Sequence, residues 1–238
     1  MWVTDRFLST HVQTVPLNSA VLDIEWTPHE SKLGSTLCVA TSTGSLEFFA
    51  FDATAEKLEQ TSSKQISDTE TLVLDLLWHP NRADIIAVTL SDGTVSLCQS
   101  DDNTNPWSTS SQTTMTELTS HSLEPWTLAF SPDTSHVFSG GDDAVLQSMQ
   151  ISHDSEPDGD ATLSSTTLWT DRKTHEAGVT AILPLANDLL ITGSYDDNIR
   201  LISAPPIGRR QILAELNLGG GVWRLRMLDD GSAANNDR

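Results

Sequence analysis

The chain has 238 residues, with 13 Lys plus Arg against 33 Asp plus Glu, for a formal net charge of −20. That balance argues against a nucleic-acid backbone or an anionic membrane as the main partner and suits a cationic one. Hydrophobic residues make up 37% and charged residues 19%, which suits short strands and polar loops and suits a helical bundle poorly.

Residues 1–19 read as a short N-terminal segment. Met1 to Arg6 show no basic stretch leading into an apolar core, so no signal peptide is expected. No apolar run approaches the roughly 20 residues that span a bilayer. The first unit follows as 20–28, 37–41 and 44–49, and a second as 72–80, 85–89 and 93–98. Cys38 and Cys98 fall in their apolar strands, without metal-ligand or disulfide-scaffold spacing. Buried free thiols in a reducing, cytoplasmic compartment are expected. The third unit is 125–132, 136–143 and 144–146; the fourth is 178–184, 189–197 and 198–201.

Trp26, Trp78, Phe130 and Leu183 mark the register, at separations of 52, 52 and 53 residues. Each unit reads as strand, Pro or polar turn, apolar strand, Gly/Asp turn and alternating strand. Outer strands are expected at 166–170 and 211–215. Residues 99–114 and 152–164 read as surface loops by composition. Units of up to four strands at this period describe an all-β propeller. The turns Ser139-Gly140-Gly141-Asp142-Asp143 and Thr192-Gly193-Ser194-Tyr195-Asp196-Asp197 resemble those of the WD-repeat family, although the closing Trp-Asp pair is missing from all four units.

Three further segments are His121 to Trp126, Lys173 to Thr180, and Gly219-Gly220-Gly221-Val222-Trp223-Arg224. With the two Gly/Asp turns, their order resembles the diphthine methylesterase family, strongly over 120–226 and more weakly over 19–100. The resemblance implies hydrolysis of a methyl ester on the trimethylated diphthine side chain of translation elongation factor 2. It also implies seven blades, or about 360 residues. Four blades over 20–218, with the first strand of another and a polar tail over 219–238, then make an incomplete propeller. An open arc with exposed sheet faces is expected.

Ester hydrolysis needs a nucleophile or activated water and donors for the oxyanion. No Gly-x-Ser-x-Gly elbow is present, and Ser194 belongs to a propeller turn. A water activated by His or a carboxylate fits better. The three segments occupy the same loop of successive units, entering an innermost strand, so they should meet on one rim. Glu124, His175 and Glu176 are the catalytic candidates. His121, Trp126, Gly220, Gly221, Trp223 and Arg224 are the substrate-binding candidates. An acidic rim with Trp suits the trimethylammonium that the resemblance implies. Arg224 is a candidate donor to the ester carbonyl. The alternative for the histidines is structural: His121 bonds Asp142 or Asp143, and His175 bonds Asp196 or Asp197. Asp154, Glu156, Asp158 and Asp160 resemble a calcium loop, but Ser165 stands where the twelfth-position Glu is required. No metal or cofactor is expected. The competing reading of the whole chain is a noncatalytic scaffold for protein–protein interaction.

Overall fold

The structure is a computed structural model that describes residues 11–28, 33–155 and 161–228. Glu156, Asp158, Asp160 and the tail 229–238 lie outside the described residues. The first blade comprises β1 (Val21–Trp26), β2 (Thr36–Thr41), β3 (Ser45–Asp52) and β4 (Lys57–Gln65). The second comprises β5 (Val73–His79), β6 (Arg82–Leu90), β7 (Thr94–Ser100) and β8 (Thr113–Ser120). The third comprises β9 (Pro125–Phe130), β10 (His136–Gly141), β11 (Leu146–Ser155) and β12 (Ala161–Asp171). The fourth comprises β13 (Val179–Pro184), β14 (Leu189–Ser194), β15 (Asn198–Ser203) and β16 (Gln211–Asn217). Each blade is an antiparallel meander in chain order, so the fold is the all-β propeller arrangement of four blades.

The cores lie between blades, and strand alternation builds them. Along β6, Ile86 and Val88 join Leu46, Phe48 and Leu76 between the first and second blades. Ile85 and Ala87 point the other way, into a core with Leu128, Phe130 and Met149 of the third blade. The near-continuous apolar run of β6 is therefore that of a strand covered on both faces. Ala129, Phe138, Val179 and Leu190 fill the next layer.

Polar bonds repeat from blade to blade at the inner strands. The Asp23 carboxylate accepts the Leu76 N–H at 3.2 Å, and Asp75 accepts the Leu128 N–H at 3.0 Å. The Asp23 and Asp75 carboxyls also bond each other. Burial first, and the Asp23 charge second, push the Asp75 carboxyl well above the usual carboxylate range. Each inner strand carries a register shift near its start: Val21/Asp23, Val73/Asp75, Pro125/Thr127 opposite Gly140/Gly141, and Val179/Ala181. Such bulges re-aim side chains, here Leu22, Leu74, Trp126 and Thr180 at the entry rim.

Residues 221–228 pair in no ladder but repeat the approach of an inner strand. A Cβ on Gly193 would lie 2.4 Å from Cγ1 of Val222, as one on Gly140 would lie 2.6 Å from Cγ1 of Val179. Only glycine permits that contact. The Thr180 hydroxyl donates to the Val222 carbonyl. Arg224 then reaches back to Asp23, Nη2 to Oδ1 at 3.2 Å, so the last segment meets the first blade. The expected arc is thus bridged across its mouth, and in the fourth blade only the outer strand is bare: every residue of β16 is exposed.

Two stretches depart from their composition. Residues 152–155 and 161–164 extend the β11–β12 hairpin rather than forming a loop. The loop after β7 carries Trp107, which is 2% exposed. Its ring stacks on Phe48 at 5.1 Å, and its indole N–H donates to the Ala83 carbonyl at 2.7 Å. Polar composition concealed one anchoring side chain between the first two blades. At the other end, Val15 and Leu17 cover Leu37, Val39 and Phe49 of the first blade.

Trp107→Ala should cost about 3–5 kcal/mol in chemical denaturation, because the stacked site cannot collapse around the lost ring. For Asp75 the sign follows from its raised value. Its contribution is fully present below the unfolded value of about 4 and is lost as pH rises toward the folded one. Asp75→Asn keeps an acceptor for Leu128 and a donor for Asp23 without the buried charge. The variant should therefore gain stability over the parent as pH rises above about 4, read as the difference in melting temperature across pH.

Candidate functional site

The entry loops of the third and fourth blades and the segment after β16 meet at one rim. Glu124 is held by its carbonyl, which accepts the Asp142 N–H at 2.8 Å. In the same way the Gly178 carbonyl accepts the Tyr195 N–H at 2.9 Å. These bonds tie each entry loop to its own blade's Gly/Asp turn, with Asp142 and Tyr195 at matching places. A Cβ at Gly178 would lie 2.7 Å from Oδ1 of Asp142 and 3.1 Å from Cδ2 of Tyr195. Both side chains thus close over the same bare backbone, across the two blades.

The aromatic rings complete this corner. Trp223 meets Tyr195 edge-on at 4.9 Å and Trp126 at 6.3 Å, with interplanar angles of 86° and 77°. Trp223 is 52% exposed and Tyr195 38% exposed, while Trp126 is half-buried. Partial desolvation and the Asp142 carboxylate raise the Tyr195 phenol above its ordinary value. Gly221 lies with its backbone against the Tyr195 ring, and Gly220 is exposed beside it. Glu176 is exposed, its N–H donating to Oδ2 of Asp196 at 3.0 Å, and Glu124 is half-buried.

The two histidines point inward. His121 is tied by Nδ1 to Asp143 at 3.0 Å and by Nε2 to the Ser139 hydroxyl at 2.9 Å. Burial alone would raise the Asp143 carboxyl, but hydrogen bonds from His121 and the Ser122 N–H hold it below the usual range. His175 makes only half of this arrangement. Its Nε2 meets Thr192 at 2.9 Å, while its Nδ1 has no hydrogen-bond partner. The reason is Arg200, whose Nη1 takes both Asp196 oxygens at 3.0 and 2.8 Å. Neither Asp196 nor Asp197 bonds His175. Burial first, and the Arg200 charge second, lower the His175 imidazole to about 4. With 5% exposure, its ring sits behind the rim rather than in it.

Inward of the rim, a channel of about 470 Å³ is lined by the inner strands together with Glu25, Asp75, Trp223 and Arg224. Burial first and Asp23 second raise the Glu25 carboxyl. Arg224 sits at this channel, on Asp23, and not in the aromatic corner. Ser194 is fully buried and donates to the Ala177 carbonyl at 3.0 Å, as a turn element. Among the described residues no His, Cys, Asp and Glu side chains group to hold a metal ion, and no helix is long and apolar enough to cross a membrane.

The structure thus gathers Glu124, Trp126, Glu176, Gly220, Gly221 and Trp223 around one rim, with His121 and His175 behind it. Tyr195 and Asp142 were missed as site residues. The signal was their matching place in the two Gly/Asp turns, one residue before Asp196 and Asp143.

The class of protein is that of WD-repeat propellers: residues 112–147 match the family model for the WD domain, G-beta repeat. More particularly, the chain is a homologue of the WD-repeat proteins named diphthine methyltransferase. It is 31% identical over 215 residues to the diphthine methyltransferase of Schizosaccharomyces pombe, covering 88% of this chain and 57% of the relative. It is 30% identical over 230 residues to the diphthine methyltransferase homolog of Dictyostelium discoideum, covering 92% and 58%. The chain therefore spans a little over half the length of these relatives.

The His175 shift gives a signed pH prediction. A lowered imidazole contributes stability above its ordinary value of 6.5 that is lost as pH falls toward about 4. His175→Gln should flatten that acid limb, by up to about 3 kcal/mol in denaturation measured between those limits.

Proposed function

We propose that this chain carries the substrate rim of a carboxylic-ester hydrolase of diphthamide biosynthesis, acting on the methyl ester of methylated diphthine in translation elongation factor 2. Its compartment on this reading is the cytoplasm, in keeping with two buried free cysteines. The observation that carries it is the meeting of the three family-like segments at one open rim beside the channel, in a homologue of the diphthine methyltransferases.

On this reading the entry-loop carboxylates do the acid–base work. Glu176 takes a proton from a water as its oxygen attacks the ester carbonyl, and the methoxide leaves as methanol once protonated. Glu124 lies on the neighbouring loop as electrostatic partner. His175 is a positioning residue behind Glu176, and His121 holds the Asp143 turn beneath Glu124. Backbone N–H groups of Gly220 and Gly221 are the donors available to the oxyanion or product carboxylate, while the Arg224 guanidinium is engaged by Asp23 at the channel. No metal or cofactor is required for these steps.

A noncatalytic scaffold is the second reading. The apolar residues Ile212, Leu213 and Leu216 of β16, each 48–60% exposed, favour it, as a surface for protein contact.

The 238-residue chain should remove one methyl group from methyl-esterified elongation factor 2, followed by mass spectrometry. Glu176→Gln should lower turnover by at least about 100-fold with the melting temperature unchanged, since the side chain is exposed. No demethylation alongside an active full-length relative, but stable capture of protein partners, would favour the scaffold.

A further inference from the structure

We propose that a cleft between the third and fourth blades binds a protein segment that presents a tyrosine side chain flanked by basic ones. The cleft lies at the ends of β9 and β13 away from the entry rim, and the proposal does not depend on the ester reading.

The cleft encloses about 250 Å³. Its walls are the turn between β9 and β10, residues 131–136, and the turn between β13 and β14, residues 184–189. Phe138, Leu190 and Ala204 form a buried apolar floor. Ser148 of β11 lines the same floor. It is 1% exposed, yet its hydroxyl bonds to no described group. A buried hydroxyl without a partner carries a free-energy cost, which a ligand hydroxyl relieves.

Both turns are already fixed. Asn187 and Asp188 hold left-handed backbone, with φ of 60° and 57°, a conformation that Asn and Asp accept. The Asp188 carbonyl accepts the Ala204 N–H at 2.8 Å. In the other turn the Ser131 and Ser135 hydroxyls both donate to the Asp133 carboxylate. These two bonds, Ser131 first, lower the Asp133 carboxyl to about 2. The His136 ring stands beside them, its Nδ1 2.8 Å from the Ser135 hydroxyl. An incoming side chain therefore meets a preformed cleft with a fixed anion at its mouth.

Size and surface select the ligand. An apolar cavity of about 150 Å³ takes up benzene, so this cleft admits a phenol ring. Phe138 offers a ring that a second aromatic can meet edge-on. A phenol carries its hydroxyl at the far end of the ring, where Ser148 lacks a partner. Phenylalanine or leucine fills the space and leaves Ser148 unpaired. Charge selects the neighbours of the tyrosine. Asp133 and Asp188 are exposed on the two turns, and no Lys or Arg lines the cleft. Arg210, beyond Pro206, is held over the Trp169 ring with its Nε 3.7 Å from Asp171. Basic residues beside the tyrosine meet the two carboxylates, and an acidic segment is repelled.

The test is NMR titration of the 238-residue chain with the capped peptide Ala-Arg-Tyr-Arg-Ala to millimolar concentration. The indole resonance of Trp169, whose ring meets Phe138 at 6.0 Å, reports on the cleft. It should shift on binding. Replacing the peptide's Tyr by Phe should weaken binding at least about fivefold. Replacing both Arg by Gln should weaken it at least about threefold at low ionic strength. Ser148→Ala should bring the Tyr peptide down to the affinity of the Phe peptide and leave the Phe peptide unchanged. Its melting temperature should stay near the parent, since an unpaired hydroxyl is removed. Asp133→Asn should shrink the difference between the Arg and Gln peptides. Equal binding of the Tyr and Phe peptides overturns the proposal. So does unchanged affinity of the Tyr peptide in Ser148→Ala, binding that leaves the Trp169 resonance unmoved, or no binding at all.

Discussion

A four-stranded sheet of this kind cannot bury both its faces alone, and each blade is completed by the next. This constraint governs the molecule. It makes β6 apolar on both sides, sets Ile85 and Ile86 into different cores, and leaves β16 bare where no described blade follows. Burying a side chain such as Ile86 contributes about 1.5–3 kcal/mol, so the inter-blade layers dominate stability. The polar bonds from Asp23 and Asp75 mainly fix the stagger of one inner strand on another.

The same stacking creates the rim. Because every blade enters the channel through an equivalent loop, residues about 50 apart in sequence arrive side by side. Bulges at the starts of the inner strands give Trp126 and Thr180 equivalent places, and Trp223 extends the series without a ladder of its own. Aromatic residues at those places form a corner rather than a core. The third and fourth blades differ where Arg200 occupies the position of Gln147. It captures Asp196 and leaves the His175 imidazole half-satisfied, neutral and buried.

Most of the fold was legible from spacing. The register at Trp26, Trp78, Phe130 and Leu183 located the units, and the Gly/Asp turns located the second and third strands. Trp107 was not legible, because its neighbours are polar and its partner Phe48 lies about 60 residues earlier in the chain. The hairpin extension at 152–155 and 161–164 was hidden likewise, since most of those residues are polar and show no apolar alternation. Glu124, Glu176, Trp126 and Trp223 were found by their loops. Tyr195 escaped notice because a turn residue is usually read for its backbone alone.

By itself the sequence determined the number of repeats, the strand order within each and the loops that share a rim, since these depend on periodicity and local turn chemistry. Only the tertiary structure decided which side chains point into the corner and which into the blade. His175 and Glu176 are neighbours in the chain, yet one is buried against Thr192 and the other is open to solvent. Arg224 follows Trp223 directly, yet reaches Asp23 across the channel. Those outcomes depend on long-range competition for hydrogen bonds and on the angle at which blades meet, neither of which is encoded in any single repeat.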